Sequence, residues 1–230
     1  MSAGQEVLRL SGLTKSFPVP EGAPRRIIDV PEFSLGTGET MALRGESGSG
    51  KTTFLNLIAG ILSPDSGAIR IGDADMAALG EHRRDRLRAA RIGYIFQTFN
   101  LLQGYTCLEN VLLGMAFGGR AEPARARELL VRVGLSHRLD HYPRQLSTGQ
   151  QQRVAVARAL AKRPGLVLAD EPTGNLDRAN AMETLRLIRE ACAENEASLL
   201  LVSHDPEALG AFQNVRDFSA MNLALREGPQ

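Results

Sequence analysis

Gly45-Glu46-Ser47-Gly48-Ser49-Gly50-Lys51-Thr52 is the feature that most restricts what this chain can fold into. It satisfies G-x-x-x-x-G-K-[ST] in full, between Thr40–Leu43, which reads as a strand, and Lys51–Ala59, which reads as a helix stopped at Gly60. Each residue type has a physical task. The glycines let the backbone curl so that successive N–H groups point at one phosphate chain. The helix that follows presents its positive end to the same anion. Lys51 reaches the β- and γ-phosphates, the Thr52 hydroxyl suits Mg²⁺, and Thr53 joins the candidate binding residues. A Gly/Ser turn that merely joins strand to helix is the bland alternative. Lys15, Lys51 and Lys162 are the only lysines, so a chance match in this context is improbable. The motif points to a nucleoside triphosphate without choosing among the many families that bind one.

A second element supports it. Leu166-Val167-Leu168-Ala169-Asp170-Glu171 is an apolar strand ending in two carboxylates. Beside a phosphate loop, such an Asp holds Mg²⁺ and the following Glu is placed to polarise an attacking water. In isolation the same residues would read equally well as a buried strand with a solvated acidic end.

Strand and helix signals alternate elsewhere. Val7–Leu10, Ile27–Leu35, Ala68–Ile71, Ile92–Phe96 and Ser198–Val202 read as extended, with Pro18–Pro24 as a hairpin or strand connection. Helices are expected around Glu81–Ala90 and Arg178–Glu194. Between 98 and 162 strand signals vanish and Leu108–Leu113, Glu122–Val133 and Gln151–Ala161 read as helices. This pattern suggests a parallel-sheet core carrying a helical subdomain.

Composition sets outer bounds. The net charge of +1 gives no long-range attraction to nucleic acid or acidic lipid. The Arg-rich run from His82 to Arg91 is interrupted by Asp85 and lacks aromatic residues, so a solvated helix face is the better reading and no nucleic-acid partner is expected. No apolar run is long enough to span a bilayer, and the N-terminus does not have the layout of a signal peptide. Cys107 and Cys192 have neither paired nor metal-site spacing and are expected to be reduced. The expected location is cytoplasmic.

At this point the chain resembles the ABC ATPase family over nearly its whole length. Leu146-Ser147-Thr148-Gly149-Gln150 is similar to the family signature, and Asp170–Asp177 (DEPTGNLD) to its Walker B strand and D-loop. Val202-Ser203-His204-Asp205 resembles the switch-histidine segment, Gln97 the Q-loop glutamine, and Phe17 the aromatic residue that stacks on adenine. Each alone has a bland reading as a core or capping residue, but the ordered series does not.

The resemblance implies an α/β fold, a P-loop NTPase core with a parallel sheet, an N-terminal antiparallel β part and an inserted helical subdomain. It implies one domain over 1–230, with the core at about 1–97 and 163–230 and the subdomain at about 98–162. It further implies a homodimer, or a dimer with a related ATPase subunit. ATP would lie between the loop from Gly45 to Thr53 of one copy and Ser147, Gly149 and Gln150 of the other. In that arrangement Glu171 is the general base, His204 holds the γ-phosphate and water, and Thr52, Gln97 and Asp170 hold Mg²⁺. The chain departs from the family signature at Thr148, which stands where the first of two glycines is usual.

FQTFNLL with LENV, and ADEPTGNLD, look most like the lipoprotein-release and macrolide-export branch. That branch implies separate transmembrane permease subunits and a peripheral place on the inner face of the cell membrane. A non-transport relative that drives a membrane protein mechanically, as in cell division, carries the same motifs and stays open as an alternative. DNA-repair relatives carry long insertions that the short interval from Gly50 to Ser147 excludes. The segment 97–111, with Phe99, Leu101, Leu102 and Tyr105, is expected to leave apolar surface exposed for a membrane partner. The tail after Asp205 lacks the branch's usual ending.

Overall fold

The strands at Thr40–Leu43, Ile92–Ile95, Leu166–Ala169 and Ser198–Val202 are apolar at nearly every position, and that pattern requires a sheet covered on both faces. In the computed structural model, which describes residues 5–20, 22–116 and 121–225, this is the case. In chain order the elements begin β1 (Glu6–Phe17), β2 (Arg25–Gly36), β3 (Thr40–Arg44), α1 (Lys51–Ile58), β4 (Ser66–Ile71), β5 (Ala74–Asp75), α2 (Glu81–Arg91) and β6 (Ile92–Ile95). They continue with α3 (Cys107–Ala116), α4 (Pro123–Arg132), α5 (Thr148–Leu160), β7 (Leu166–Asp170), α6 (Arg178–Glu194), β8 (Ser198–Ser203), α7 (Pro206–Gly210), β9 (Val215–Asp217) and α8 (Phe218–Met221).

Two sheets result. One is antiparallel in the order β2-β1-β4-β5, and the other is parallel in the order β6-β7-β8-β3-β9. The two-residue period sorts the parallel strands into two cores. Met41, Leu43, Leu166, Leu168, Leu200 and Val202 face β1, β2 and α1. Ala42, Val167, Ala169, Leu199 and Leu201 face the opposite way, into a core shared with α3, α4, α5 and α6. Phe54 of α1 is fully buried, edge-on to Phe33 at 5.6 Å and beside Phe218 at 5.2 Å. It pins the helix after the phosphate loop to both sheets.

Three details differ from the reading of the sequence. β1 continues to Phe17 rather than ending at Leu10. Ser11 and Gly12 interrupt the apolar pattern, but Gly12 sits at φ 56° where the register against β4 shifts, and Leu13 beyond it is fully buried. The tail is integral to the core. β9 adds a parallel edge strand to β3, Phe218 is buried, and the Asn222 side chain accepts from the Asp29 N–H and donates to the Ile27 carbonyl. The segment 97–111 is split. Leu101 is buried and Phe99 packs against the core, whereas Leu102 and Tyr105 are exposed.

Candidate nucleotide site

In a parallel sheet, ligands gather beyond the C-terminal strand ends, where backbone direction and loops converge. The ends of β6, β7, β8 and β3, adjacent in that order, are followed respectively by Gln97, Asp170–Glu171, His204 and the loop from Gly45 to Gly50. The loop's glycines are required. Gly48 and Gly50 adopt φ of 79° and 96°, and a Cβ on Gly50 would meet Ile27 and Ile28 side chains at 3.1 and 3.2 Å. Gly50 offers no side-chain cap to α1, so the first N–H groups of the helix remain for an anion.

Lys51 is nearly buried, and its Nζ donates to the Gly45 and Glu46 carbonyls at 2.6 and 2.8 Å. The same ammonium lies 3.7 Å from Glu171 Oε1. Thr52 Oγ1 donates to Asp170 Oδ1 at 3.2 Å. Glu171 departs from the strand at φ 44°, the left-handed region uncommon for a side-chain-bearing residue. Its Oε2 accepts from Ser203 Oγ at 3.1 Å and its Oε1 meets His204 Nδ1 at 2.8 Å. Glu171 is therefore held by β8 on one side and the phosphate-loop lysine on the other.

A cleft of about 440 Å³ is lined by Phe17, Lys51, Thr52, Thr53, Gln97, Glu171 and His204, among others. Lys15 Nζ stands 5.7 Å from the Phe17 ring centroid. Gly45, Glu46, Ser47 and Ser49 line the neighbouring cavity together with His204. Arg44, Asp217 and Ser219 also border that cavity, and the sequence reading does not select them. They come from the tail and the end of β3, and no motif marks them. Ser203 is likewise not selected, although it directly precedes His204.

Ser147, Gly149 and Gln150 line neither cavity. They form the N-terminus of α5, where Ser147 Oγ accepts from the Gln150 N–H and Gln150 Oε1 accepts from the Ser147 N–H. This capping box satisfies the helix start within the chain. Thr148 is exposed and Gly149 is buried. The D-loop touches the nucleotide side as well, with Asn175 Nδ2 donating to the Gln97 carbonyl at 2.7 Å.

The donors near Thr52 suit a hard cation. Asp170 is almost fully buried, and burial, with the neighbouring Glu171 charge, pushes its carboxyl up, opposed by the Thr52 hydrogen bond and the Lys51 charge. Its charge has no ion pair among the described residues. No group of three acidic, His or Cys side chains forms a metal cage there among the described residues. A Mg²⁺ ion at this place would complete its shell with phosphate oxygens and water, as Mg²⁺ commonly does.

A stability consequence follows. A carboxyl raised in the folded state binds its proton more tightly there than when unfolded, so stability falls as pH rises through its titration. At neutral pH the ionised Asp170 therefore costs stability. Asp170→Asn is expected to raise the melting temperature of the nucleotide-free chain at pH 7. The gain should shrink as pH falls towards about 4, and the extra stabilisation by Mg²⁺ and ATP should be lost. An unchanged or lower melting temperature at pH 7 would contradict a net cost of the buried carboxylate.

A family model described as "ABC transporter" matches residues 28–174, more than half of the chain and all of the phosphate loop and Walker B strand. The chain belongs to the ABC transporter family. Among relatives of this ABC cassette is a lipoprotein-releasing system ATP-binding protein LolD of Treponema denticola, 39% identical over 97% of both chains. LolD 1 of Caulobacter vibrioides is 46% identical over 86% of both chains, and LolD of Pseudomonas syringae pv. tomato is 43% identical over 86% of this chain and 88% of its own. The branch named from FQTFNLL and ADEPTGNLD is the branch found. Among solved structures, the dimeric post-hydrolysis state of the ATP-binding cassette MJ0796 bound to ADP and Pi aligns with TM-score 0.84 and 33% identity, covering 91% of this chain and 93% of that one. The chain is an ATP-hydrolysing ABC cassette with an α/β P-loop NTPase fold. Among the described residues no helix is long and apolar enough to cross a membrane.

Proposed function

We propose that this cassette works as a pair, a homodimer or a dimer with a related subunit, at the inner face of the cell membrane. There it drives export or extraction of a substrate through separate transmembrane subunits. The observation that carries this reading is the division of the site. The phosphate loop, Glu171 and His204 converge on one cleft, while Ser147–Gln150, at the start of α5, do not line it. A nucleotide in the cleft needs the second half from another copy. The solved relative MJ0796 is a dimer.

In this reading the phosphate loop binds ATP, Phe17 stacks on adenine, and Ser147, Gly149 and Gln150 of the second copy approach the γ-phosphate. Thr52, Asp170 and Gln97 would hold Mg²⁺, which supplies charge neutralisation for the phosphates. Glu171 takes the proton of the attacking water at a carboxylate oxygen, and His204, anchored through Nδ1, positions the γ-phosphate side of the cleft. Residues 98–162 act as a helical subdomain that moves with ATP binding, with Gln97 at its hinge. The relatives' names make lipoproteins the first cargo class to assay.

The membrane subunits dock where the subdomain meets the sheet. The sequence points to 97–111 for that surface. Leu102 and Tyr105 are exposed there, and a separate cavity lies between α2, β6, α3 and α5. Purification of the tagged chain from detergent-solubilised membranes is expected to yield a stable complex with a polytopic membrane protein. ATPase activity of that complex should respond to addition of a lipid-anchored substrate. A chain recovered alone, with no membrane subunit under any nucleotide condition, would overturn the transport reading.

A further inference from the structure

A loop of glycines, serines and one glutamate has little side-chain bulk with which to hold its own shape, and glycine loses the most backbone freedom on ordering. The loop from Gly45 to Gly50 is closed by the bond from the Ser49 N–H to the Glu46 carbonyl, long at 3.3 Å, and by the bonds of Lys51 Nζ to the Gly45 and Glu46 carbonyls. An ammonium that turns to phosphate loosens those bonds, so the loop needs support from outside. The tail supplies it. Arg44, the residue before the loop, donates to Asp217 Oδ2 at 2.8 Å, and Asp217 caps α8 by accepting from the Ser219 N–H at 2.9 Å. One helical turn puts Phe218 and Asn222 on the same face, and both are fully buried. Phe218 meets the first end of the loop, where a Cβ on Gly45 would stand 3.4 Å from Phe218 Cβ. Asn222 reaches the other end through β2. Its Nδ2 donates to the Ile27 carbonyl at 2.8 Å, and its Oδ1 accepts from the Asp29 N–H at 2.7 Å. Ile27 lines the nucleotide cleft, and its side chain and carbonyl oxygen would stand 3.1 and 3.3 Å from a Cβ on Gly50.

We propose that the tail segment 217–222 positions the phosphate loop for ATP, with Phe218 setting its Gly45 end and Asn222, acting through Ile27, setting its Gly50 end. The inference rests on the reading that this loop holds the phosphates, and adds the residues that keep it in shape. Both polar ends of the Asn222 side chain are bonded to the β2 backbone, and neither Phe218 nor Asn222 lines a nucleotide cavity. They are positioning residues and not catalytic ones. A loop held in its binding shape before ATP arrives loses less freedom on binding. The same loop holds ATP in the ground state and in the transition state, so loosening it weakens both alike. Affinity and KM then change while kcat does not.

The test measures ATP binding with Mg²⁺ by calorimetry, and steady-state hydrolysis, on the full chain. Asn222→Ala is expected to weaken ATP binding and raise KM by about ten-fold, with kcat at saturating ATP little changed. Ser198→Ala is the matched control. Ser198 is equally buried, and its hydroxyl also bridges two backbone groups, accepting from the Gly38 N–H at 2.8 Å and donating to the Gly36 carbonyl at 3.0 Å. It starts β8, at the end of that strand away from His204. Ser198→Ala should lower the melting temperature by a similar amount and leave ATP affinity unchanged. Phe218→Leu, which keeps an apolar side chain in the core, should weaken ATP binding in the same direction and carries the test if Asn222→Ala does not fold. Unchanged ATP affinity in either folded variant, a loss in Ser198→Ala as large as theirs, or a fall in kcat at unchanged KM overturns the positioning role. Lys51→Ala separates the two levels. ATP affinity that depends on Lys51 but not on Asn222 or Phe218 removes the role of the tail alone, whereas affinity independent of Lys51 removes the phosphate-loop reading with it.

Discussion

Glu171→Gln is expected to lower ATP turnover by about 10²- to 10⁴-fold, the usual weight of a positioned general base, while leaving ATP bound. The substitution is nearly isosteric. The amide that replaces the carboxylate retains an oxygen for the Ser203 hydroxyl and a polar contact for His204, so the left-handed turn at φ 44° has no reason to relax. What the variant loses is the proton acceptor and the negative charge 3.7 Å from Lys51. Removing that charge leaves Lys51 freer to face phosphate, so nucleotide affinity should hold or rise. Because reopening of the paired cassettes is expected to need hydrolysis, ATP with Mg²⁺ should convert the variant into a long-lived dimer. Phosphate release and gel filtration with and without ATP check the two halves. Turnover near that of the unsubstituted chain would remove Glu171 as the base. Slow turnover without a dimer would instead separate its chemistry from the proposed pairing.

How far the sequence can be read depends on whether a residue's task is local. The phosphate loop is a contiguous set of backbone demands, and all its members fall where the motif places them. Asp170 and Glu171 are legible because the continuous apolar run of β7 ends on them beside a phosphate loop. The partners that give Glu171 its orientation are not legible. Ser203 comes from a neighbouring strand, and pairing between β7 and β8 is a register that no short pattern specifies. The tail is opaque for the same reason, since β9 is short and polar and gains its place only by pairing with β3. In 97–111, a count of apolar residues does not tell Leu101, turned inward, from Leu102, turned outward. The cavity between α2, β6, α3 and α5 draws nothing from the sequence, because Arg86 and Lys162, which both line it, lie far apart in the chain. The Arg-rich helix reads in sequence as a solvated face. None of its residues is fully buried, yet several of its arginines bond carbonyls or polar side chains of neighbouring segments.

The two residues at the altered signature should behave oppositely. Thr148 is exposed at the first position of α5, where a side chain meets solvent and glycine gains nothing. Thr148→Gly is expected to change ATPase activity little. Gly149 is buried, and a Cβ there would stand 3.1 Å from Asn180 Oδ1 and 3.3 Å from its Cγ. Asn180 cannot easily yield, because Asp177 accepts from both its backbone N–H, at 3.1 Å, and its side-chain amide, at 2.5 Å. Gly149 thus has a reason to be glycine within its own chain, in addition to the proposed approach to a nucleotide on the second copy. Gly149→Ala should lower activity in part, and adding Asn180→Ala should recover much of it by making room. Gly149→Asp should reduce activity to background, and Asn180→Ala should not rescue it, because a carboxylate set against the γ-phosphate repels it whatever lies behind. Steady-state ATPase at saturating ATP, with melting temperatures to exclude unfolding, measures the set. Recovery of Gly149→Asp by Asn180→Ala would place the whole effect inside one chain and withdraw Gly149 from the shared site. Equal, severe loss in Thr148→Gly would show that the exposed threonine, and not the buried glycine, makes the contact across the pair.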